Sequence, residues 1–477
     1  MRAKPKPSIL FNVQAQFLGQ IAVILTQIAY VIVVTRYLDV ASFGIFSFAV
    51  GVVQIVLIIS DFGLNLFTTR QLAASPSESR YVFQQLLSLK IALAFAFGVL
   101  LILGGKLWLE AETLKVLALF TGGMVLHSIG LSFNVSFQGH GDLYIGSAMT
   151  FLLVFLQLLL GTGFLIAGGG ILSLGTAYVA SSAVALVASY FLYTGRIHDI
   201  DLALSFKSIR PFMKQCVPMG LGAALGALAN RADVPLVFWI SGAAQLGIYA
   251  AAYRITGTLY NVPAAIFSAV LPFMSRLSWN TPAMDDTLER TFLVSVIAGS
   301  CMFLFFTIAG PAIVVSLFGN AYSASGDLLR ILSWALIPSF INVGLLYASV
   351  SQKKTAFAYT VSAGVGAFVN IGLNLLWIPI WKNRGASYAT VATESMMLVS
   401  YIYCLRNELK IQNFDRPFKL IGLSLSAAGL TWFASLNGIR TGILAVAIYL
   451  AFAFWIGKFS IQDRKFWMQR LAHSGSN

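Results

Sequence analysis

Residues 38–49, LDVASFGIFSFA, lie over residues 241–252, SGAAQLGIYAAA, at an offset of 203, pairing Phe43-Gly44-Ile45 with Leu246-Gly247-Ile248. Each segment is a short turn joining two apolar runs. Farther on, Gln138 in SFQGHGDLY recurs as Gln352 in SVSQKKTAF, and GTAY from Gly175 to Tyr178 recurs as GASY from Gly385 to Tyr388. The matches keep their order at offsets from 203 to 214, which predicts two six-helix halves, 1–200 and 201–411, followed by a helix pair and tail at 412–477. Six spans precede the second half, so both halves start on the same side of a membrane. Parallel repeats of this kind let two bundles rock about a central cavity, the architecture of transporters.

Composition sets the solvent. Of 477 residues, 58% are hydrophobic and 10% charged, against roughly a quarter charged in soluble domains. The mean hydropathy is +0.82. A soluble globule is excluded, and the class expected is an all-α integral membrane protein. A span of about 20 apolar residues plus a loop of about 12 predicts about 14 transmembrane helices, and little chain remains for a soluble catalytic domain. The outer loops are short and hold few ionisable groups, which argues against a membrane enzyme such as a polymerase or ligase. The first span follows Arg2, Lys4 and Lys6 but is too long for a signal-peptide core, so it reads as retained.

The 31 Lys and Arg against 17 Asp and Glu give a net charge of +14. On alternating loops, 21 of the basic residues fall on the cytoplasmic side and seven outside: Arg36, Lys106, Lys115, Arg330, Lys382, Arg384 and Arg440. Lys90, Arg231 and Arg254 lie within or near spans. The charge is therefore mostly a topology signal that puts both termini in the cytoplasm. No basic cluster suits a nucleic acid, although the basic side would attract anionic membrane lipids. Cys216, Cys301 and Cys404 are dispersed in apolar stretches, and the four histidines form no ligand pair, so neither a disulfide framework nor a metal site is expected.

The stretches TRYLDVASFGIFSFAVGVVQIVLIISDFGLNLFTTRQLA (35–73), NRADVPLVFWISGAAQLGIYAAAYRI (230–255), LPFMSRL (271–277) and VNIGLNLLWIPIWKNRGASYATVATE (369–394) resemble the bacterial polysaccharide-unit flippases. These are the Wzx-type branch of the multidrug/oligosaccharidyl-lipid/polysaccharide exporter superfamily. The resemblance runs over nearly the whole chain and marks the superfamily better than the substrate. It implies a flippase of the bacterial inner membrane that moves an oligosaccharide linked to undecaprenyl diphosphate from the cytoplasmic to the outer leaflet. Such a protein needs no cofactor and has other polysaccharide-assembly proteins as candidate partners. The alternatives are a multidrug or toxin exporter, which should carry acidic cavity residues, and a flippase for the peptidoglycan lipid precursor.

Ionisable groups at membrane depth cost roughly 2.5–3.5 kcal/mol each on insertion scales, so they usually face a cavity or a partner. Arg231 and Arg254 flank the turn near Ser241-Gly242 by similar distances, which places both roughly 15–19 Å from it, near mid-bilayer. Two guanidinium groups there suit a diphosphate. The competing reading is an ion pair of either arginine with Asp233. The first half has Ile28 and Gly51 at the corresponding positions. Asn12, Gln16, Gln20 and Gln27 share one face of the first span, suited either to a hydrated, sugar-lined cavity or to interhelical hydrogen bonds. Asn370 and Asn374 form a similar pair. Tyr249, Tyr253 and Tyr260 share a side near Arg254, where they either stack on sugar rings or pack. Asp61, with Arg70 two and a half turns on, reads as a latch or an H⁺ or Na⁺ site, and Glu394 as another coupling candidate. Related drug exporters use acids in the first span, and here the first span has none.

Overall fold

The structure, a computed structural model, describes residues 9–74, 79–196, 209–275, 277–279, 281–352, 355–409, 415–433 and 438–457. Among them every regular element is helical. The chain divides into two compact units, Met1–Ala227 and Leu228–Asn477.

The first unit contains α1 (Ile9–Tyr37), α2 (Val40–Asp61), α3 (Leu64–Ala74), α4 (Ser79–Trp108), α5 (Ala111–Gly139), α6 (Leu143–Ile166), α7 (Ile171–Arg196) and most of α8 (Ile209–Arg231). The second contains the end of α8, then α9 (Asp233–Ser241), α10 (Ala243–Leu259), α11 (Asn261–Met274) and α12 (Pro282–Phe318). A 3-10 turn at Asn320–Tyr322 leads to α13 (Ser323–Ser333), α14 (Leu336–Ser351), α15 (Phe357–Cys404), α16 (Asp415–Phe433) and α17 (Ile439–Gly457). The two-unit boundary falls inside α8 rather than at 200, and α16 and α17 pack on α12 as part of the second unit.

The repeat seen in the letters returns in the helix starts. Val40 answers to Ala243 and Ser79 to Pro282 at an offset of 203; Ala111 answers to Ser323 at 212 and Leu143 to Phe357 at 214. Each half also breaks its second span, at Phe62-Gly63 between α2 and α3 and at Tyr260 between α10 and α11.

Among the described residues, eight helices are long and apolar enough to cross a membrane, or ten when two bent pairs are each taken as one span. The pairs bend by 41° between α8 and α9 and by 50° between α13 and α14. The 48-residue α15 contains a non-helical residue, Lys382. Straight, it would reach about 72 Å, more than twice a hydrocarbon core of about 30 Å. Lys382 thus marks the kink where one helix ends and the next begins.

Lipid removes the hydrophobic drive between helices, so close packing and polar contacts hold the bundle. In the first unit a core cluster joins Leu64 and Leu72 of α3 to Phe83 and Leu86 of α4, Phe133 and Phe137 of α5, Tyr193 of α7 and Phe212 of α8. Phe83 stacks on Tyr193 at 4.7 Å. Small residues allow the tightest approaches: a Cβ at Gly220 would lie 2.4 Å from the Phe62 carbonyl oxygen, so α8 crosses the break after α2 at backbone contact. Phe62 itself is left-handed, with φ 45°. The α2 start is capped by Asp39, whose carboxylate accepts from the amides of Ala41 and Ser42 at 3.1 and 3.4 Å. Hydrogen bonding, chiefly with Ser42, holds the Asp39 carboxyl below the usual carboxylate range against the opposing pull of burial.

Candidate functional site

The sequence concentrates deep charge in the second unit, and the bend between α8 and α9 is what places it. Arg231 ends α8 and Asp233 begins α9. Asp233 is 1% exposed. Its Oδ1 accepts from the Val234 amide at 3.0 Å, and the hydroxyl of Tyr249 donates to its Oδ2. Tyr249, fully buried on α10, also lies 3.2 Å from the Thr390 hydroxyl of α15. A buried carboxylate at a helix start thus has its acceptors met by an amide and a phenol. The Arg231 charge also acts on Asp233 from two residues away.

One turn further along α10, Tyr253 stacks on Tyr249 at 5.4 Å and its hydroxyl donates to the Asn230 carbonyl. That bond ties the residue before Arg231 to the residue before Arg254. Both arginines are half-buried. The tyrosine hydroxyls are already engaged with protein, which makes Tyr249 and Tyr253 the frame of this site. Tyr260 lies at the break between α10 and α11.

Glu394, 6% exposed on α15, meets Asn342 of α14. The Asn342 amide donates to Glu394 Oε2 and to the Glu394 carbonyl, each at 2.8 Å. The Asn370 and Asn374 pair closes on itself, with Asn374 donating to the Asn370 side chain at 3.0 Å and to its carbonyl at 2.8 Å. The hydrogen-bond partners of the Glu394 carboxyl are neutral, the Asn342 amide and the Ser339 hydroxyl.

In the first unit Asp61 is matched. The Lys90 ammonium of α4, 1% exposed, lies 2.8 Å from Asp61 Oδ1, and Asp61 Oδ2 receives the Asn65 amide at 3.4 Å. The last residue of α2 is thereby joined both to α4 and to the start of α3. The side chain of Arg70 lies outside the described residues, and so does that of Asn12. Gln16, Gln20 and Gln27 are exposed on α1, whose other face packs Val23, Tyr30, Val31 and Val34 inward. A cavity of about 20 Å³ among α5, α6 and α7 is lined by His127, Asn134, Thr150, Ser182 and Ser189, room for one water.

Sequence reasoning left Lys90 without a role and gave none to Asn342 or Thr390. A lone lysine inside an apolar span is itself the signal for the first. For the other two the signal is weak, because a single amide or hydroxyl inside a membrane helix usually bonds to its own backbone. Among the described residues no group of three His, Cys, Asp or Glu is placed to hold a metal.

Comparison with known proteins adds kinship to this geometry. A family described as polysaccharide biosynthesis protein matches residues 9–278. No curated protein sequence matches. Among solved structures, the lipid II flippase MurJ in an inward closed conformation is similar at a TM-score of 0.74 and 13% identity, over 93% of this chain and 98% of that one. An inward-facing multidrug resistance MATE family transporter of the MOP superfamily is similar at 0.65 and 16%, over 83% and 98%. A MOP superfamily transporter from Pyrococcus furiosus, described as having a binding pocket of reverse polarity, follows at 0.60 and 13%, over 85% and 98%. At these identities the likeness is one of fold, that of the MOP-superfamily transporters and flippases.

Proposed function

Because the chain belongs to the polysaccharide biosynthesis protein family, we propose that it is a flippase for polyprenyl-diphosphate-linked oligosaccharide units. It would work by alternating access in the bacterial inner membrane, with both termini in the cytoplasm. The observation that carries this reading is the Tyr253 bond to the Asn230 carbonyl, which joins the residue before Arg254 to the residue before Arg231 and would set the two arginines at one level. Two guanidinium groups at one depth fit the two phosphates of a polyprenyl carrier by charge-assisted, bidentate bonds. The polyprenyl tail stays in lipid while the headgroup crosses. A cationic drug would be repelled by the same level, which argues against a multidrug exporter. The peptidoglycan lipid precursor carries the same diphosphate and is the reading nearest to this one.

The test is sided. Deletion of the gene in its host should leave polyprenyl-diphosphate sugars in the inner leaflet and remove surface polysaccharide, with both restored by the wild-type gene. Accumulation of the peptidoglycan precursor would move the substrate to that lipid. Unchanged glycolipid with altered resistance to cationic drugs would sink the flippase reading.

For coupling, Glu394 is the better candidate for an H⁺ or Na⁺ than Asp61, since Asp61 is matched by Lys90 while the hydrogen-bond partners of the Glu394 carboxyl are neutral. Glu394→Gln should remove any dependence of translocation on the ion gradient in proteoliposomes. An unchanged gradient dependence in Glu394→Gln would exclude it.

A further inference from the structure

The positive-inside rule makes a basic residue on the outer side the exception, and the seven predicted there are unevenly shared. At that end of the first unit Arg36, Lys106 and Lys115 face Asp39, Glu110 and Glu112, so charges cancel. At the same end of the second unit Arg330, Lys382, Arg384 and Arg440 face Asp327 alone.

Three of these four are drawn together. Arg330 lies 3.7 Å and Arg384 3.8 Å from opposite oxygens of Asp327, while Arg330 Nε donates to the Thr307 carbonyl at 3.2 Å. One exposed carboxylate at such distances neutralises two guanidinium groups weakly. Lys382 stands two residues before Arg384, in the turn that divides α15. Its φ of 52° with ψ of −131° is a conformation a side chain resists, at a cost of about 1–3 kcal/mol. A Cβ at Gly385 would lie 2.3 Å from the Trp377 carbonyl oxygen, so glycine is needed where the chain folds back.

That turn also brings aromatic rings together. Trp381 lies 5.8 Å from Trp377 and 6.0 Å edge-on from Tyr388, with Trp381 49% and Tyr388 44% exposed. The result is flat, amphipathic faces on residues within four positions of Arg384 in the chain. Phosphate takes the cations by charge-assisted bonds, and a sugar ring takes an aromatic face with a polar edge.

We propose that Arg330, Lys382 and Arg384 with Trp381 and Tyr388 form an exit pad that receives the diphosphate and first sugars of the translocated lipid on the outer side. This rests on the flippase reading above. The pad would hold the headgroup as it leaves the mid-membrane arginines and so favour delivery over return. Charge complementarity selects this occupant: a net cationic patch on the leaflet that topology keeps poor in basic residues.

The probe is farnesyl diphosphate, titrated onto the full chain in phosphatidylcholine nanodiscs, with empty nanodiscs subtracted. The Lys382→Gln/Arg384→Gln protein should lose at least about tenfold in affinity, equal to about 1.4 kcal/mol, and its binding should lose most of its salt dependence. Trp381→Ala should also weaken binding, and the charge-keeping Lys382→Arg/Arg384→Lys protein should bind close to wild type. Wild-type affinity in the glutamine variant, together with loss in Arg254→Gln, would overturn the pad, leave the mid-membrane site standing and make the rings an interfacial anchor. No saturable binding in any form would overturn both readings.

Discussion

Lys90→Ala should destabilise the first unit by about 3–5 kcal/mol, the range for stranding one member of a buried ion pair. The pair is close, at 2.8 Å, and lies where little water reaches the ammonium. Asp61 is 19% exposed, so the lower end of the range is expected. The loss should spread beyond the pair, because Asp61 ends α2 and caps α3 through Asn65, directly beside the left-handed Phe62. Removing both charges together, as Asp61→Asn with Lys90→Met, should recover most of the stability, since no buried charge is then left alone. Thermal unfolding of the purified protein in detergent measures both. An alanine variant melting with the wild type would show that water already solvates Asp61.

Arg254→Ala should stop headgroup translocation while the protein accumulates normally. Loss of a hydrogen bond to a charged group is worth about 1.5–3 kcal/mol, roughly ten- to a hundredfold per contact. The fold should survive because the level is framed by Tyr249, Tyr253, Asp233 and Thr390, which the substitution leaves in place. Arg254→Lys should restore part of the activity, a point charge lacking the guanidinium fork. The readout is inner-leaflet polyprenyl-diphosphate sugar against surface polysaccharide, with membrane protein level as the control. Full transport by Arg254→Ala would remove this arginine from the site.

Much of the fold was legible in the letters. The 203 offset between LDVASFGIFSFA and SGAAQLGIYAAA reappears as the spacing of the helix starts Val40 and Ala243, then Ser79 and Pro282. It was legible because a membrane helix is a local object: its length is set by the bilayer and its hydrogen bonds lie within itself. The break at Tyr260 has Pro263 within one turn, a residue without the amide that would bond back to Leu259. The break at Phe62-Gly63 was less legible: it carries no proline, and its conformation follows from what crosses it, as Gly220 does.

The site divides in the same way. Arg231, Asp233, Arg254, Asp61 and Glu394 stood out because charge inside an apolar run is costly wherever it folds. Their partners did not. Asp233 takes Tyr249 from the next helix, Asp61 takes Lys90 from α4, and Glu394 takes Asn342 from 52 residues away. The sequence by itself determined that the chain is helical, membrane-embedded, repeated and charged inside some of its apolar runs, since transfer energy and periodicity act residue by residue. Tertiary structure alone decided which side chain meets each of those charges. Pairing depends on which helix faces come into contact, and apolar helix faces carry no letter code for their neighbours.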